Sequence, residues 1–133
     1  MSLVIDASVA AKWVLPEPDS ERAEALCRTG ELLIAPTLVL AEIGNAVWKR
    51  AIKSELTKAD AATAIETAGG LFSGLLPMEQ FAIRATEFSI ELRHPIYDCF
   101  YLALAEREAA TLITADERML AAAKKTKIKA KAL

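Results

Sequence analysis

The sequence predicts an α/β fold, with a central, mainly parallel sheet between helices on both faces. Short apolar runs typical of buried strands alternate along the chain with longer segments of helical periodicity. Alternation on this scale favours a parallel sheet covered on both faces, because each crossover places a helix against the sheet. The strand candidates are Ser2–Ile5, Leu32–Ala35 and Thr111–Thr114, with Leu75–Met78 as a weaker case.

Seven segments between these strands have helical patterns. Pro36, Pro77 and Pro95 stand at predicted element edges, and the pair Gly69 and Gly70 weakens or ends one helix. The predicted helices are Ser8–Leu15, Ser20–Thr29, Thr37–Ile52, Thr57–Phe72, Gln80–Arg93, Ile96–Ala109 and Glu117–Lys124.

Length and composition indicate one domain, residues 1–133, with a sizeable core. The chain has 133 residues, of which 53% are hydrophobic and 26% charged, which excludes a largely disordered chain. The longest uncharged stretch, Thr67–Met78, is shorter than the roughly 18 residues of a membrane helix. The N-terminus carries Asp6 and Lys12 where a signal peptide would be apolar, so we expect a cytoplasmic protein with no membrane contact.

The charge is unevenly distributed. Five of the 16 basic residues lie in the tail between Lys124 and Lys131, whereas the net charge is −2, which argues against a generally basic nucleic-acid coat. The tail is open to two interpretations. It is a contact for an RNA backbone, or the alternation over Lys127–Lys131 is an edge strand guarded by lysines.

Cysteine and histidine contribute little to the predicted chemistry. Cys27 and Cys99 lie in apolar helical contexts, so we expect reduced core thiols. His94, the single histidine, precedes Pro95 at a helix boundary, where we expect a loop residue. Without a Cys/His cluster a zinc site is not predicted, and the sequence has no phosphate loop, dinucleotide fingerprint or serine-hydrolase elbow.

Two aspartates lie at the ends of predicted strands, Asp6 immediately and Asp116 after Ala115. Asp6 follows the first strand, and Asp116 follows Thr111–Thr114. Ligands of open α/β sheets bind at the carboxyl ends of the strands near a switch in strand order, so both aspartates point to one rim. The alternative is that each one simply caps the helix that follows it.

Asp98 stands alone in an apolar segment. The surrounding residues, Ile96–Ala105, are otherwise apolar, which predicts a helix buried nearly all round with one carboxylate in its first turn. The helix dipole supports that charge by only about 0.3–1 kcal/mol, whereas desolvation costs several kcal/mol. A functional role, such as binding a metal ion, is therefore favoured over capping.

Glu42 shares a helix face with Asn45, opposite the core stripe formed by Leu40, Ile43 and Val47. Periodicity alone makes this an ordinary solvated face. A set of oxygen ligands without sulfur or imidazole suits a hard cation such as Mg²⁺ or Mn²⁺, and such ions usually act on phosphate.

Four blocks of sequence together resemble the PIN-domain ribonucleases, in particular the VapC toxins of prokaryotic toxin–antitoxin pairs. The blocks read LVIDASV, APTLVLAEIGNAVWK, IYDCFYLALAE and TLITADERML, and they span residues 3–120 in the family's order. The lysine tail shows least of the family pattern.

The resemblance implies a PIN-like three-layer sandwich and an acidic cluster that holds Mg²⁺ or Mn²⁺ for hydrolysis of RNA. The cluster would comprise Asp6, Glu42, Asp98 and Asp116, with Asp6 and Asp98 as the core ligands. Small polar residues, namely Ser8, Asn45 and Thr114, would support these acids by hydrogen bonds. The implied partners are an RNA substrate, a cognate antitoxin protein and a second copy of the chain, since the family is often dimeric.

Two other hypotheses remain open. A catalytically silent RNA- or protein-binding module of the same fold predicts decay of the acidic set, yet all four acids are present. A phosphotransferase of the haloacid-dehalogenase type, with Asp6 as nucleophile, expects a second aspartate where this chain has Ser8. Trp13 and Trp48 are candidates for a dimer or antitoxin contact, although core packing is the more ordinary role.

Overall fold

Five parallel strands form one sheet in the computed structural model, which describes all residues from Met1 to Leu133. The strand order is β3-β2-β1-β4-β5, which confirms the predicted parallel sheet. The strands are β1 (Ser2–Ile5), β2 (Leu32–Pro36), β3 (Gly74–Leu76), β4 (Thr111–Thr114) and β5 (Ala130–Ala132).

Seven α-helices connect or follow these strands, as the periodicity predicted. They are α1 (Ala7–Ala10), α2 (Ser20–Ala25), α3 (Leu38–Ala51), α4 (Lys58–Leu71), α5 (Ala82–Leu92), α6 (Ile96–Glu108) and α7 (Glu117–Lys124). The first two are shorter than predicted because each tightens into a 3₁₀ turn, at Ala11–Trp13 and Leu26–Arg28, as helix ends often do. None of the helices is long and apolar enough to cross a membrane.

The strand order reverses between β1 and β4. From the central strand β1 the chain proceeds outward to β2 and β3, then returns to the other side of β1 to form β4 and β5. Since parallel crossovers are almost always right-handed, this reversal predicts α1 to α4 on one face and α5 to α7 on the other, in agreement with the packing of α3 on α1 and α4 and of α5 on α6. A crevice is expected at the carboxyl ends of β1 and β4, where the order reverses.

Helix α6 lies at the centre of the core. Every residue from Cys99 to Ala105 is buried, and the helix packs on β1, β2 and β4 and against α5. This confirms the prediction of a helix buried nearly all round. Asp98 therefore lies in the first turn of a helix that is held in place by packing on almost every side.

Three expectations about side chains and the tail need correction. Cys27 is exposed rather than part of the core, because the 3₁₀ turn that contains it, Leu26–Arg28, buries none of its residues. Trp13 is packed in the core, but Trp48 is 55% exposed on α3, so core packing was the wrong interpretation for it. The tail strand lies at the sheet edge as predicted, but it begins at Ala130.

Candidate active site

Asp6 lies buried at the carboxyl end of β1, with only 5% of its surface exposed. Its backbone N–H donates to the carbonyl of Ile113 (3.1 Å), which continues the pairing of β1 with β4. Its Oδ2 accepts hydrogen bonds from the hydroxyls of Ser8 and Thr114, both at 2.7 Å. Since the Asp6 side chain makes no cap bond to α1, the capping interpretation is wrong for this residue.

Asp116 lies after the neighbouring strand β4 and does cap its helix. Its Oδ1 accepts from the backbone N–H groups of Arg118 (2.8 Å) and Met119 (3.4 Å) at the start of α7. Its own N–H donates to the Thr114 hydroxyl at 3.0 Å. Thr114 therefore links Asp6 to the turn that carries Asp116, and both cap bonds use a single oxygen of Asp116.

Asp98, in the first turn of α6, is paired with His94. The imidazole Nε2 lies 2.6 Å from Oδ2 of Asp98, and the histidine side chain is only 9% exposed. The expectation that His94 is merely a loop residue is thus wrong. The spacing of four residues across a helix start, with Pro95 at the cap, is the signal that could have predicted this contact.

Glu42 projects from α3 and is half-buried. Its Oε1 accepts a hydrogen bond of 2.6 Å from the hydroxyl of Tyr101, a side chain on α6 with no exposed surface. The interpretation of this position as an ordinary solvated face is therefore wrong. Sequence reasoning missed Tyr101, which lies one helical turn after Asp98, so that α6 both carries one acid and positions another.

One cleft of about 750 Å³ collects the four acids at the carboxyl ends of the strands. Ser8 and Asn45 also line it. Asn45 is exposed and, unlike Ser8 and Thr114, makes no hydrogen bond to an acid. The four predicted carboxylates that line the cleft are those of Asp6, Glu42, Asp98 and Asp116, and Glu17, paired with Lys12 and Arg50, is a fifth acid in its lining.

The carboxylates are oriented by the protein. No three of the acidic, histidine or cysteine side chains surround one point as metal ligands would. Instead, the hydrogen bonds to each of the four carboxylates fall on one of its two oxygens, which leaves the second oxygen open to a ligand.

The electrostatics of the cleft disfavour its full negative charge. Burial raises the pKa of Asp6, and the charge of Asp98 raises it further, against the lowering effect of the Ser8 and Thr114 hydroxyls. Burial also raises the pKa of Glu42, with further increases from the charges of Asp6 and Asp98. A cation in the cleft would relieve this repulsion, and a set of carboxylate oxygens fits a hard divalent ion.

The rim of the same cleft is basic. Lys12, Lys49, Arg50 and Lys53 line it together with the acids. A concave site that is acidic at its base and basic at its rim suits a ligand that carries negative charge along its length and meets a cation at one point.

A doubly covered parallel sheet with several carboxylates in a cleft at its switch point defines an α/β protein with an acidic site. The model of the PIN domain family matches residues 3–125. The chain therefore belongs to the PIN domain family.

Known proteins similar to this chain agree with that membership. Ribonuclease VapC3 of Pyrobaculum aerophilum is 31% identical over 121 residues, which cover 90% of this chain and 92% of that protein.

Two solved structures share the fold. VapBC2 of Rickettsia felis, bound to a DNA fragment from its promoter, superposes with a TM-score of 0.74 at 17% identity, over 100% of this chain and 99% of that one. VapC20 of Mycobacterium tuberculosis, a toxin that cleaves the sarcin-ricin loop, gives 0.73 at 16% identity, over 91% and 95%. At these identities the likeness confirms the PIN-like sandwich predicted from the sequence.

Proposed function

We propose that this protein is a Mg²⁺- or Mn²⁺-dependent endoribonuclease that acts as the toxin of a toxin–antitoxin pair. The observation that carries the proposal is the presence of four carboxylates in one cleft, each held through one oxygen and open at the other. Membership of the PIN domain family and the similarity to Ribonuclease VapC3 support it.

The open oxygens of Asp6 and Asp98 would form the core of the cation site, with Glu42 and Asp116 completing it. A bound divalent ion supplies positive charge to a phosphate and lowers the pKa of a water molecule. Burial, with a further contribution from the neighbouring carboxylate charges, raises the pKa values of Asp6 and Glu42, and a bound cation would stabilise their charged forms where an uncharged ligand would not.

The remaining groups of the site orient these acids. The hydroxyls of Ser8 and Thr114 fix Asp6, His94 fixes Asp98 and Tyr101 fixes Glu42. Partners of this kind hold metal ligands in the required orientation. In the proposed hydrolysis a water oxygen forms the new bond to phosphorus while the bond to the 3′ oxygen breaks, so the products carry a 5′ phosphate and a 3′ hydroxyl.

Incubation of the purified protein with a mixed RNA pool tests this proposal. Cleavage is expected with Mg²⁺ or Mn²⁺, and is expected to be lost in EDTA and in Asp98→Asn. Glu66→Gln, which removes an exposed carboxylate of α4 outside the cleft, is the matched control and should cleave like the parent. RNA that is bound but never cut under either metal would instead support the silent binding module.

We extend the proposal to the setting and the partners. A cytoplasmic ribonuclease toxin needs a protein that inhibits it, and the structural similarity to VapBC2 supports a cognate antitoxin that covers the cleft. A homodimer is the proposed state of the free protein. Light scattering checks this, since a monomer at all concentrations would contradict the dimer without affecting the nuclease proposal.

A further inference from the structure

We infer that Lys49 and Lys53 bind the phosphates of the RNA strand that flank the one held by the acids, so that the substrate runs along α3 toward its C-terminal end. The inference rests on the proposed ribonuclease function and adds the path of the strand. Lys49 and Lys53 are called here the α3 lysine track.

The first observation is geometric. Lys49 and Lys53 line the same cleft as Glu42 and Asn45. At 100° per residue, Lys49 lies within about 20° of the direction of Glu42 around the helix axis, and Lys53, just beyond the helix end, lines the same cleft. At a rise of 1.5 Å per residue, Lys49 lies about 10 Å beyond Glu42 along the axis, and Lys53 lies further on in the turn that ends α3. The track therefore leads away from the acids in one direction.

The second observation concerns charge. Two of the four cations on the rim are already paired, since Lys12 contacts Glu17 and Asp19, and Arg50 contacts Glu17 and Glu55. These contacts hold Lys12 and Arg50 against Glu17, an acid that lines the same cleft. The acids around them reduce the positive charge that they can offer a phosphate.

Lys49 and Lys53 differ from Lys12 and Arg50 both in exposure and in ion pairing. Both are exposed, and neither forms an ion pair with an acid of this chain. Lysines in the last turn of a helix also interact favourably with the helix dipole, but that interaction does not require them to face the cleft. Unpaired ammonium groups on a cleft wall are suited to bind a polyanion, whose backbone dominates the affinity of nucleic-acid complexes.

RNA explains the arrangement better than an acidic segment of a protein does. The track ends in four carboxylates, which would repel an acidic peptide, whereas a phosphate can bind both the lysines and a cation held by the acids. A continuous RNA strand can bind the lysines at one end of the cleft and the cation at the other. An acidic peptide could bind only the α3 lysine track.

The experiment measures the affinity of a labelled single-stranded RNA of mixed sequence by fluorescence anisotropy. All variants carry Asp98→Asn, so that the RNA is not cut during the measurement. Lys49→Gln with Lys53→Gln removes two charges from the track. Lys127→Gln with Lys129→Gln removes two charges from the exposed tail, and is the control matched in net charge.

For a single strand, each phosphate contact contributes about −0.7 to the slope of log affinity against log salt, so loss of the track should reduce the magnitude of the slope by about 1.4. Between 50 and 200 mM salt the parent should then lose about 7-fold more affinity than the track variant. The tail variant is expected to follow the parent. Equal effects in the two double variants, or an effect of the tail alone, would overturn the inference.

Two further arms separate the alternatives. Poly-glutamate is added as a competitor, and a track variant that loses poly-glutamate binding but keeps RNA binding would identify a protein-docking surface instead. Cleavage by the variants with an intact Asp98 is measured in parallel. If the parent cuts RNA but the track has no effect, only this inference fails, whereas track-dependent binding without any cleavage contradicts the nuclease proposal alone.

Discussion

The turn after β1 and the turn after β4 have the same local design but use their aspartates differently. In each, an apolar strand ends in an aspartate at the N-cap position of a helix, Asp6 before α1 and Asp116 before α7. Asp116 caps its helix through backbone N–H groups. Asp6 is buried, caps nothing, and is held by the hydroxyls of Ser8 and Thr114.

The difference follows from the immediate surroundings of each aspartate. Asp6 directly continues β1, with its N–H bonded to Ile113 of β4 and its carboxylate enclosed by the hydroxyls of Ser8 and Thr114, whereas Ala115 separates Asp116 from its strand. The turn after β4 is more open, and Asp116 is only half-buried. A central carboxylate costs the fold stability because it is desolvated, whereas the outer one stabilises a helix. We expect substitutions at these two positions to differ accordingly.

The largest expected difference is in cleavage. Asp6→Asn removes a core ligand of the proposed site, and stabilisation of several kcal/mol by a metal ion corresponds to roughly 1,000-fold or more in rate. Asp116→Asn keeps the cap but replaces the open oxygen of an outer ligand by an amide nitrogen, so its loss should be at least ten times smaller than that of a core ligand. Initial rates on the mixed RNA pool measure both, and equal losses would remove the distinction between the two turns.

The next largest effect on cleavage is expected at Thr114, whose hydroxyl links the two turns. Thr114→Val removes the hydrogen bond to Asp6 and the acceptor for the N–H of Asp116 while it preserves side-chain volume. Loss of a partner of this kind costs about 10–100-fold in metal affinity or activity. Thr114→Ser should restore most of it.

Titration of Mn²⁺ by calorimetry checks the effect of Thr114 independently of activity. If Thr114→Val binds the ion as tightly as the parent, the hydroxyl does not orient Asp6. A similar loss in Thr114→Ser would indicate that the methyl group, rather than the hydrogen bond, is what matters.

The fold and the four acids could be predicted from the sequence for a physical reason. Buried strands of a parallel sheet are short apolar runs, and the residue that follows such a run lies on the functional rim, which locates Asp6 and Asp116. The apolar surroundings of Asp98 indicate a special role for that carboxylate in the same local way. For Glu42, periodicity alone predicted a solvated face, and only the family resemblance placed it in the cleft.

The hydrogen-bond partners of these acids could not be predicted from the sequence, because they depend on packing between elements that are distant along the chain. Tyr101 looks like one more apolar residue of α6, and its hydroxyl reaches Glu42 only because α6 and α3 meet above the sheet edge. The exposure of Cys27 and Trp48 has the same origin, since no local pattern tells which side of a helix the rest of the chain covers.

Asp6, in the turn after β1, also makes the stability of the protein depend on pH. The raised pKa of Asp6 means that the folded state binds its proton more tightly than the unfolded state, whose Asp pKa is about 3.9. In EDTA the stability that this proton confers is fully present below that value and is lost as pH rises through the folded pKa. Asp6→Asn should therefore become more stable than the parent as pH rises from acid to neutral, by about 1.4 kcal/mol for each pH unit that separates the folded and unfolded pKa values.

Asp60 provides a control of opposite sign. Its pKa is lowered by hydrogen bonds from the backbone and side chain of Thr57, in the capping box of α4. Its contribution to stability is present above the unfolded pKa and is lost as pH falls, so Asp60→Asn should be less stable than the parent at neutral pH. Urea unfolding across this pH range measures both variants. A gain for Asp6→Asn that does not grow with pH would show that its origin is not the buried charge.

The smallest expected effect is the loss of the cap at Asp116. Asp116→Ala should destabilise the protein by about 1 kcal/mol, the usual cost of replacing an aspartate cap by alanine, whereas Asp116→Asn should be nearly neutral because asparagine caps as well. Urea midpoints in EDTA distinguish the two variants, and equal destabilisation by both would show that the negative charge matters more than the accepted N–H bonds. Asp6→Asn is expected to stabilise the protein under the same conditions, whereas Asp116→Ala destabilises it. These opposite signs would show that the carboxylate of Asp116 stabilises the fold and that the carboxylate of Asp6 is retained although it destabilises the fold.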